Sequence, residues 1–267
     1  MTHLRTPDSA LVAALHPSPN FSERRGGLTP TLLILHYTGL PTVERSIEVL
    51  ADPRGQVSCH YVIDDHGRIT QMVAERLRAW HAGVSYWGGE TDINSCSIGI
   101  EIHNPGHSGG YPDFGHGQMC AVRDLSLDIM RRNGIMPAGV LAHSDIAPSR
   151  KSDPGEKFDW SWLARAGVGH WVEPEPITAP VATQTGDGRD MLIGSTGAAV
   201  TAMQQRLARY GYGIAANGVF DAASEFVVRA FQRHFRPAVV DGAWDMSCDR
   251  TLRRLIAALP TDETATV

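Results

Sequence analysis

The sequence is poor in several features that mark common protein classes. Its 267 residues include only four cysteines: Cys59, Cys96, Cys120 and Cys248. They are widely scattered and form no CxxC pair, which argues against a thiolate zinc site, a thioredoxin-like redox pair or a disulfide framework. Reduced, packed thiols are the expectation. No stretch approaches the roughly 20 apolar residues of a membrane span. The longest apolar stretch near the start, residues 10–15, is too short for a signal-peptide core and has no basic segment close before it. A cytoplasmic location is the resulting expectation. There is no basic run either, and the formal net charge is −5. Neither nucleic acid nor an anionic membrane surface is therefore an expected partner.

The rest of the composition is that of a soluble globular protein, with 42% hydrophobic and 20% charged residues, enough for a core without metal or disulfide staples. One break in composition divides the chain. Residues 173–188, EPEPITAPVATQTGDG, carry three prolines and three threonines with no hydrophobic periodicity, as expected of an extended, solvated linker. The expected parts are a first domain over 1–172, the linker, a second domain over 189–260 and a tail over 261–267.

The first part alternates strand-like and helix-like segments. Residues 31–36 form a short apolar run ending in His36, as in a buried strand. Pro41-Thr42 offers a helix start, with Val43, Ile47 and Leu50 on one helical face. Residues 60–73 read as a hairpin turning at Gly67. Residues 97–103 alternate with period two. Residues 118–133 carry Met119, Val122, Leu125 and Ile129 at helical spacing, with Gly134 as the stop. Residues 139–143 form another short strand ending in His143. Such mixing implies an α/β fold, a mixed central sheet flanked by helices.

The second part carries three helical stripes: Val200, Met203, Leu207 and Tyr210; Val227, Phe231 and Phe235; and Leu252, Leu255, Ile256 and Leu259. A short repeat, residues 217–221 (NGVFD) and 241–245 (DGAWD), supplies in each copy a turn glycine, a core aromatic and a helix-capping aspartate. A small three-helix domain follows.

Position singles out a few of the twelve histidines. His36 and His143 end apolar strands, where loops converge and the backbone is fixed. Asp153 follows ten residues after His143 in a loop stiffened by Pro148 and Pro154. Two imidazoles and a carboxylate leave one coordination position open, the pattern of a catalytic rather than a structural zinc. Spacing alone leaves the plainer alternative open, that all three are satisfied polar residues at strand ends. A rival set, His103, His107 and His116, lies in a glycine-rich segment without rigid supports, which reads as a mobile loop beside the cleft.

The segments LILHYTG, SCHYVIDDHGRI, AWHAG, SIGIEIHN and AHSDIAPSRKSDPG occur in this order. Together they resemble the zinc-dependent N-acetylmuramoyl-L-alanine amidases of the AmpD and AmiD type, over roughly residues 17–172. The second part resembles the helical peptidoglycan-binding module often appended to such enzymes. The resemblance implies a Zn2+ held by His36, His143 and Asp153, with Glu101 as catalytic acid/base and Lys151 facing the reacting carbonyl. It implies substrate contacts at Trp80 and His81, at a backbone group of Ala147, and at Asn94. Taken alone, Glu101 is equally a surface carboxylate on a half-exposed strand and Lys151 a solvated loop cation. The expected substrate is peptidoglycan or its muropeptides, cut at the amide between the muramic lactyl group and L-alanine. The alternatives are a non-catalytic peptidoglycan receptor on the same fold and a zinc peptidase cutting within the stem peptide. A murein-binding module sets the periplasm or cell envelope against the cytoplasmic expectation.

Overall fold

The structure, a computed structural model, describes residues 4–177 and 190–260. Most of the expected linker (178–188) and the tail lie outside the described residues.

The strands are β1 (Ala14–Leu15), β2 (Phe21–Ser22), β3 (Leu32–Tyr37), β4 (Tyr61–Ile63), β5 (Ile69–Gln71), β6 (Arg78–Ala79), β7 (Ser97–Ile102) and β8 (Val140–Ala142). Six of them form a mixed sheet in the order β1-β5-β4-β7-β3-β8, and β2 pairs with β6. The residue 60–73 hairpin is β4 and β5, antiparallel, while β4, β7, β3 and β8 run parallel. Helices α1 (Val43–Ala51), α2 (Ile93–Cys96), α3 (His116–Asn133), α4 (His143–Ile146) and α5 (Trp160–Arg165) belong to this part. Thr42 caps α1 by accepting from the Arg45 N–H, and Gly134 closes α3 in the left-handed conformation. Among the described residues no helix is long and apolar enough to cross a membrane.

The two faces of the sheet are covered differently. Leu33, Leu35, Ile98, Ile100 and Ile102 point to the side where α3 lays Met119, Val122, Leu125 and Ile129. Period-two alternation sends Ile34, His36 and Glu101 to the other side. There α1 packs near Val62 through Leu50, Val43 and Ile47. The remainder of that face, including Ile34, Leu141, Ile146 and Ala147, is covered by the C-terminal helices.

Those helices are α6 (Ala198–Tyr210), α7 (Ala222–Phe235) and α8 (Met246–Ala257). Their apolar stripes share one continuous core with the sheet part. The repeat behaves as expected: Phe220 and Trp244 are buried, and Asp221 and Asp245 cap α7 and α8 from the Ser224 and Cys248 N–H groups. The beginning of the expected linker touches the helical module. The Glu175 N–H donates to Thr251 Oγ1 at 3.0 Å, Ser247 Oγ donates to the Glu175 carbonyl at 2.5 Å, and Arg254 donates to the Glu173 carbonyl at 2.9 Å. Residues 173–175 thus run pinned along α8.

Candidate metal centre

The parallel register sets His36 on β3 directly beside Glu101 on β7. Both lie near the carboxyl ends of their strands, where open α/β sheets place their ligands. β8 ends at Ala142, so His143 opens the short helix α4 rather than closing the strand. The Ser144 N–H donates to the Asp153 carbonyl at 3.0 Å, which folds the loop back and brings Asp153 to the histidines. His36, His143 and Asp153 are all buried, and among the described residues they are the group able to hold a metal ion. The two Nδ1 atoms lie 2.9 Å apart. Asp153 Oδ2 is 3.2 Å from His36 Nδ1 and 3.0 Å from His143 Nδ1.

Ser97 Oγ gives its hydrogen to the Ile93 carbonyl at 2.6 Å, so it must accept from His81 Nε2 at 3.3 Å. His81 Nδ1 is then the acceptor for His36 Nε2–H at 3.0 Å, and His36 Nδ1 carries a bare lone pair. On the other side, His143 Nε2 donates to the Ala82 carbonyl at 3.1 Å, which leaves its Nδ1 bare as well. With both rings neutral, two imidazole lone pairs and a carboxylate oxygen meet with no proton between them. A divalent cation resolves this repulsion, and outer hydrogen bonds of this kind fix the tautomers of metal-binding histidines.

Burial, then His143, lowers the His36 pKa to about 4, so the ring is neutral. Burial pushes the Asp153 carboxyl up, but the two histidines hold it far below the usual carboxylate range. Burial and the Asp153 charge raise Glu101 well above an ordinary carboxyl, with Lys151 opposing. Glu101 Oε2 is enclosed and has no hydrogen-bond partner. A cavity of about 250 Å³ opens here, with Trp80, His81, Glu101, His143, Lys151 and Asp153 in its wall.

The remaining expected residues lie close by but turn elsewhere. Trp80 lines the cleft and donates its Nε1–H to Ser22 Oγ at 3.3 Å. His81 borders the cleft, yet both its nitrogens are taken by His36 and Ser97. Its ring lies against Gly99, where an added Cβ would sit 2.5 Å from His81 Cγ; only glycine leaves that space. Asn94 is not in an open loop. It is buried in α2, and its Oδ1 accepts from the His81 and Ala82 N–H groups at 3.0 and 2.8 Å. Ala147 is buried; its N–H donates to the His143 carbonyl and its carbonyl accepts from Arg150 and Lys151, leaving little for a bound peptide.

The rival histidines do not converge. His103 faces Thr38, His107 faces Tyr37 and Glu156, and His116 faces Cys120. The glycine-rich segment around them is tied down by Tyr111, whose hydroxyl donates to the Pro154 carbonyl at 2.8 Å. Nothing in the sequence pattern marks His81 or Asn94 as supports for the ligands, because their partners become neighbours only in the folded sheet.

Fold and site together define an α/β protein with a candidate metal site and a docked helical module. A family model for N-acetylmuramoyl-L-alanine amidase matches residues 26–156, and one for a peptidoglycan binding domain matches residues 196–252. The chain is 37% identical to the N-acetylmuramoyl-L-alanine amidase AmiD of Escherichia coli, over 80% of this chain and 78% of the relative. It is 36% identical to the 1,6-anhydro-N-acetylmuramyl-L-alanine amidase AmpD of E. coli, over 54% of this chain and 86% of the relative. E. coli AmiD solved with its substrate anhydro-N-acetylmuramic acid-L-Ala-D-γ-Glu-L-Lys superposes with a TM-score of 0.70 at 33% identity, covering 89% of this chain and 97% of that one. AmpDh3 from Pseudomonas aeruginosa superposes with the same TM-score of 0.70 at 31% identity, covering 92% and 96%. The chain belongs to the N-acetylmuramoyl-L-alanine amidase family.

Proposed function

We propose that the chain is a zinc-dependent amidase that cuts between the lactyl group of N-acetylmuramic acid, or its anhydro form, and L-alanine of the stem peptide. The observation that carries this reading is one cleft in which three buried ligand atoms meet beside an unpartnered carboxyl oxygen of Glu101. Two imidazoles and a carboxylate suit zinc and leave a position open. Bound there, zinc supplies Lewis acidity, polarising a carbonyl and bringing the pKa of water down towards about 7. Glu101 takes the proton of the attacking water and delivers it to the departing nitrogen. Its raised proton affinity suits both transfers at neutral pH. Lys151 at the cleft wall places its ammonium against the oxyanion. Trp80 meets the substrate, while His81, Asn94 and Ala147 hold the ligands from behind.

E. coli AmiD was solved with an anhydro-muramoyl tripeptide, and we assign the same substrate class here. We take residues 1–172 as the catalytic part and 189–260 as the murein-binding module, which adds a second contact on polymeric substrate. Rates on soluble anhydro-muropeptide and on intact sacculi separate the two placements. Preference for the former matches a cytoplasmic enzyme, and preference for the latter one of the cell envelope.

The deciding experiment is metal analysis together with peptide release from murein, with and without chelator, the products weighed by mass spectrometry. Zinc-dependent release of intact peptides beginning with L-alanine is the expected result. Murein binding without release would make the chain a receptor, and peptides lacking L-alanine would make it a peptidase.

A further inference from the structure

Asp145 lies two residues after the ligand His143, in the turn that carries both histidine and aspartate ligands, and it is fully buried. None of the chemistry above uses it. Its Oδ2 accepts the Ala142 N–H at 2.8 Å, which ties the end of β8 to the start of α4. Its two other partners come from the helical module. Tyr212 donates its hydroxyl to Oδ1 at 2.7 Å, and His234 donates its Nδ1–H to Oδ2 at 2.6 Å. These contacts bridge 67 and 89 residues of sequence.

Both module residues are themselves held. The Tyr212 ring meets Trp87 edge-on at 4.9 Å. His234 is stacked between Trp160 and Phe235, each at 3.8 Å. His234 Nε2 is buried and has no partner, so Asp145 is the one hydrogen bond that the structure gives this ring. The turn is gripped from a second direction where the Tyr86 N–H donates to the Ile146 carbonyl at 2.8 Å. Without Tyr212 and His234, the carboxyl would stay enclosed with a single backbone donor, a costly state for a charged group. The turn would have to shift to rehydrate it, and His143 would move with the turn.

Resting on the zinc-amidase reading, we propose that the helical module positions the metal ligands, with Tyr212 and His234 clamping the Asp145 carboxyl and so fixing the turn that presents His143. Tyr212 and His234 are positioning residues that reach neither metal nor substrate. The module is then a structural part of the catalytic site as well as a contact for murein.

The test uses the full chain. Tyr212→Phe removes one hydroxyl and keeps the ring against Trp87. It should weaken zinc binding about tenfold, the lower end of what loss of an outer partner does, measured by competition with a chromophoric chelator. On a small soluble muropeptide kcat should fall while KM stays near wild type, and the visible spectrum of the cobalt-substituted protein should shift. His234→Leu should act alike. His234→Asn, whose Nδ2 can donate from the place of the imidazole Nδ1, should recover much of the loss, which general destabilisation would not allow. Val239→Ser, on the exposed surface of the module, should leave zinc affinity unchanged. Zinc affinities of Tyr212→Phe and His234→Leu within twofold of a zinc-binding wild type would overturn the clamp and leave the amidase reading standing. A wild-type chain that binds no zinc would overturn both.

Discussion

In the helical module, Gln204 and Gln232 occupy matching places and have every polar atom engaged. Gln204 donates to Asn217 Oδ1 and the Val219 carbonyl at 3.0 and 2.9 Å and accepts the Gly218 N–H at 2.9 Å. Gln232 donates to Asp241 Oδ1 and the Ala243 carbonyl at 2.9 and 2.8 Å and accepts the Gly242 N–H at 2.8 Å. Gly218 and Gly242, with φ of 74° and 78°, form the turns that each glutamine closes. At the cleft of the sheet part, groups buried as deeply are unfinished: Glu101 Oε2 has no partner, and two imidazoles face each other through Nδ1 at 2.9 Å. Buried polar groups are normally satisfied, and the exceptions call for a reason. In the module they brace a turn. At the cleft the unfinished groups are the ones that the proposed reaction uses.

The sharpest way to break this comparison is to take the cation away. Dialysis against a strong chelator, or Asp153→Ala, should remove zinc and reduce amide cleavage to background. Retained activity in a demonstrably metal-free protein would mean that the unfinished cluster serves another purpose. Next in size is Glu101→Ala. It should keep its zinc and lower kcat by about 10²–10⁴-fold, the usual contribution of a positioned acid/base. Because it removes an enclosed carboxyl with an unpartnered oxygen, its thermal midpoint should equal or exceed that of wild type, a trade between stability and activity. Turnover near wild type would refute the assigned role.

Local pattern made much of this legible. The run ending at His36, the alternation placing Glu101 opposite Ile100 and Ile102, and the stripe of α3 reflect periodicities that neighbours in sequence enforce. The two-residue strands β1 and β2 are too short to show any period. The donor set was legible as a possibility from the positions of His36, His143 and Asp153; the loop resemblance narrowed it, and the folded geometry shows the lone pairs meeting. The supports were not legible. His81 reaches His36 across 45 residues and fits only because position 99 lacks a side chain. The contact of residues 173–175 with α8 was hidden for a similar reason, since Glu175 is held by residues more than 70 positions away.

The module half of the comparison is tested by Gln232→Leu and Gln204→Leu. Each leaves a buried glycine N–H without its acceptor, at about 1–3 kcal/mol per orphaned group. Denaturant unfolding should show losses of that order in both, similar in size because the two turns are built alike. A loss confined to one copy would mean that the repeat is one of sequence more than of energetics.

The smallest effect concerns a buried polar residue of the sheet part that is fully satisfied, His60. Its Nε2–H donates to the Leu77 carbonyl at 3.1 Å and its Nδ1 accepts the Gly99 N–H at 3.0 Å, so the ring is neutral in a fixed tautomer. Burial, then the nearby Arg24 guanidinium, lowers its pKa to about 3. The unfolded chain takes up this proton near pH 6.5, so between about 6.5 and 3 the unfolded state binds more protons than the folded one. Stability from this group is therefore complete above pH 6.5 and declines as the pH falls through that window. By pH 5 the decline amounts to about 2 kcal/mol. Denaturant midpoints of the zinc-loaded wild type and His60→Gln at pH 7 and pH 5 isolate the effect, because the other histidines are common to both. The variant should be less stable at pH 7, having lost the acceptor for Gly99, and flatter towards acid. Equal acid slopes would show that His60 is not held neutral. The hydrogen bonds of His60 would then not hold its ring as those of Gln204 and Gln232 hold their turns.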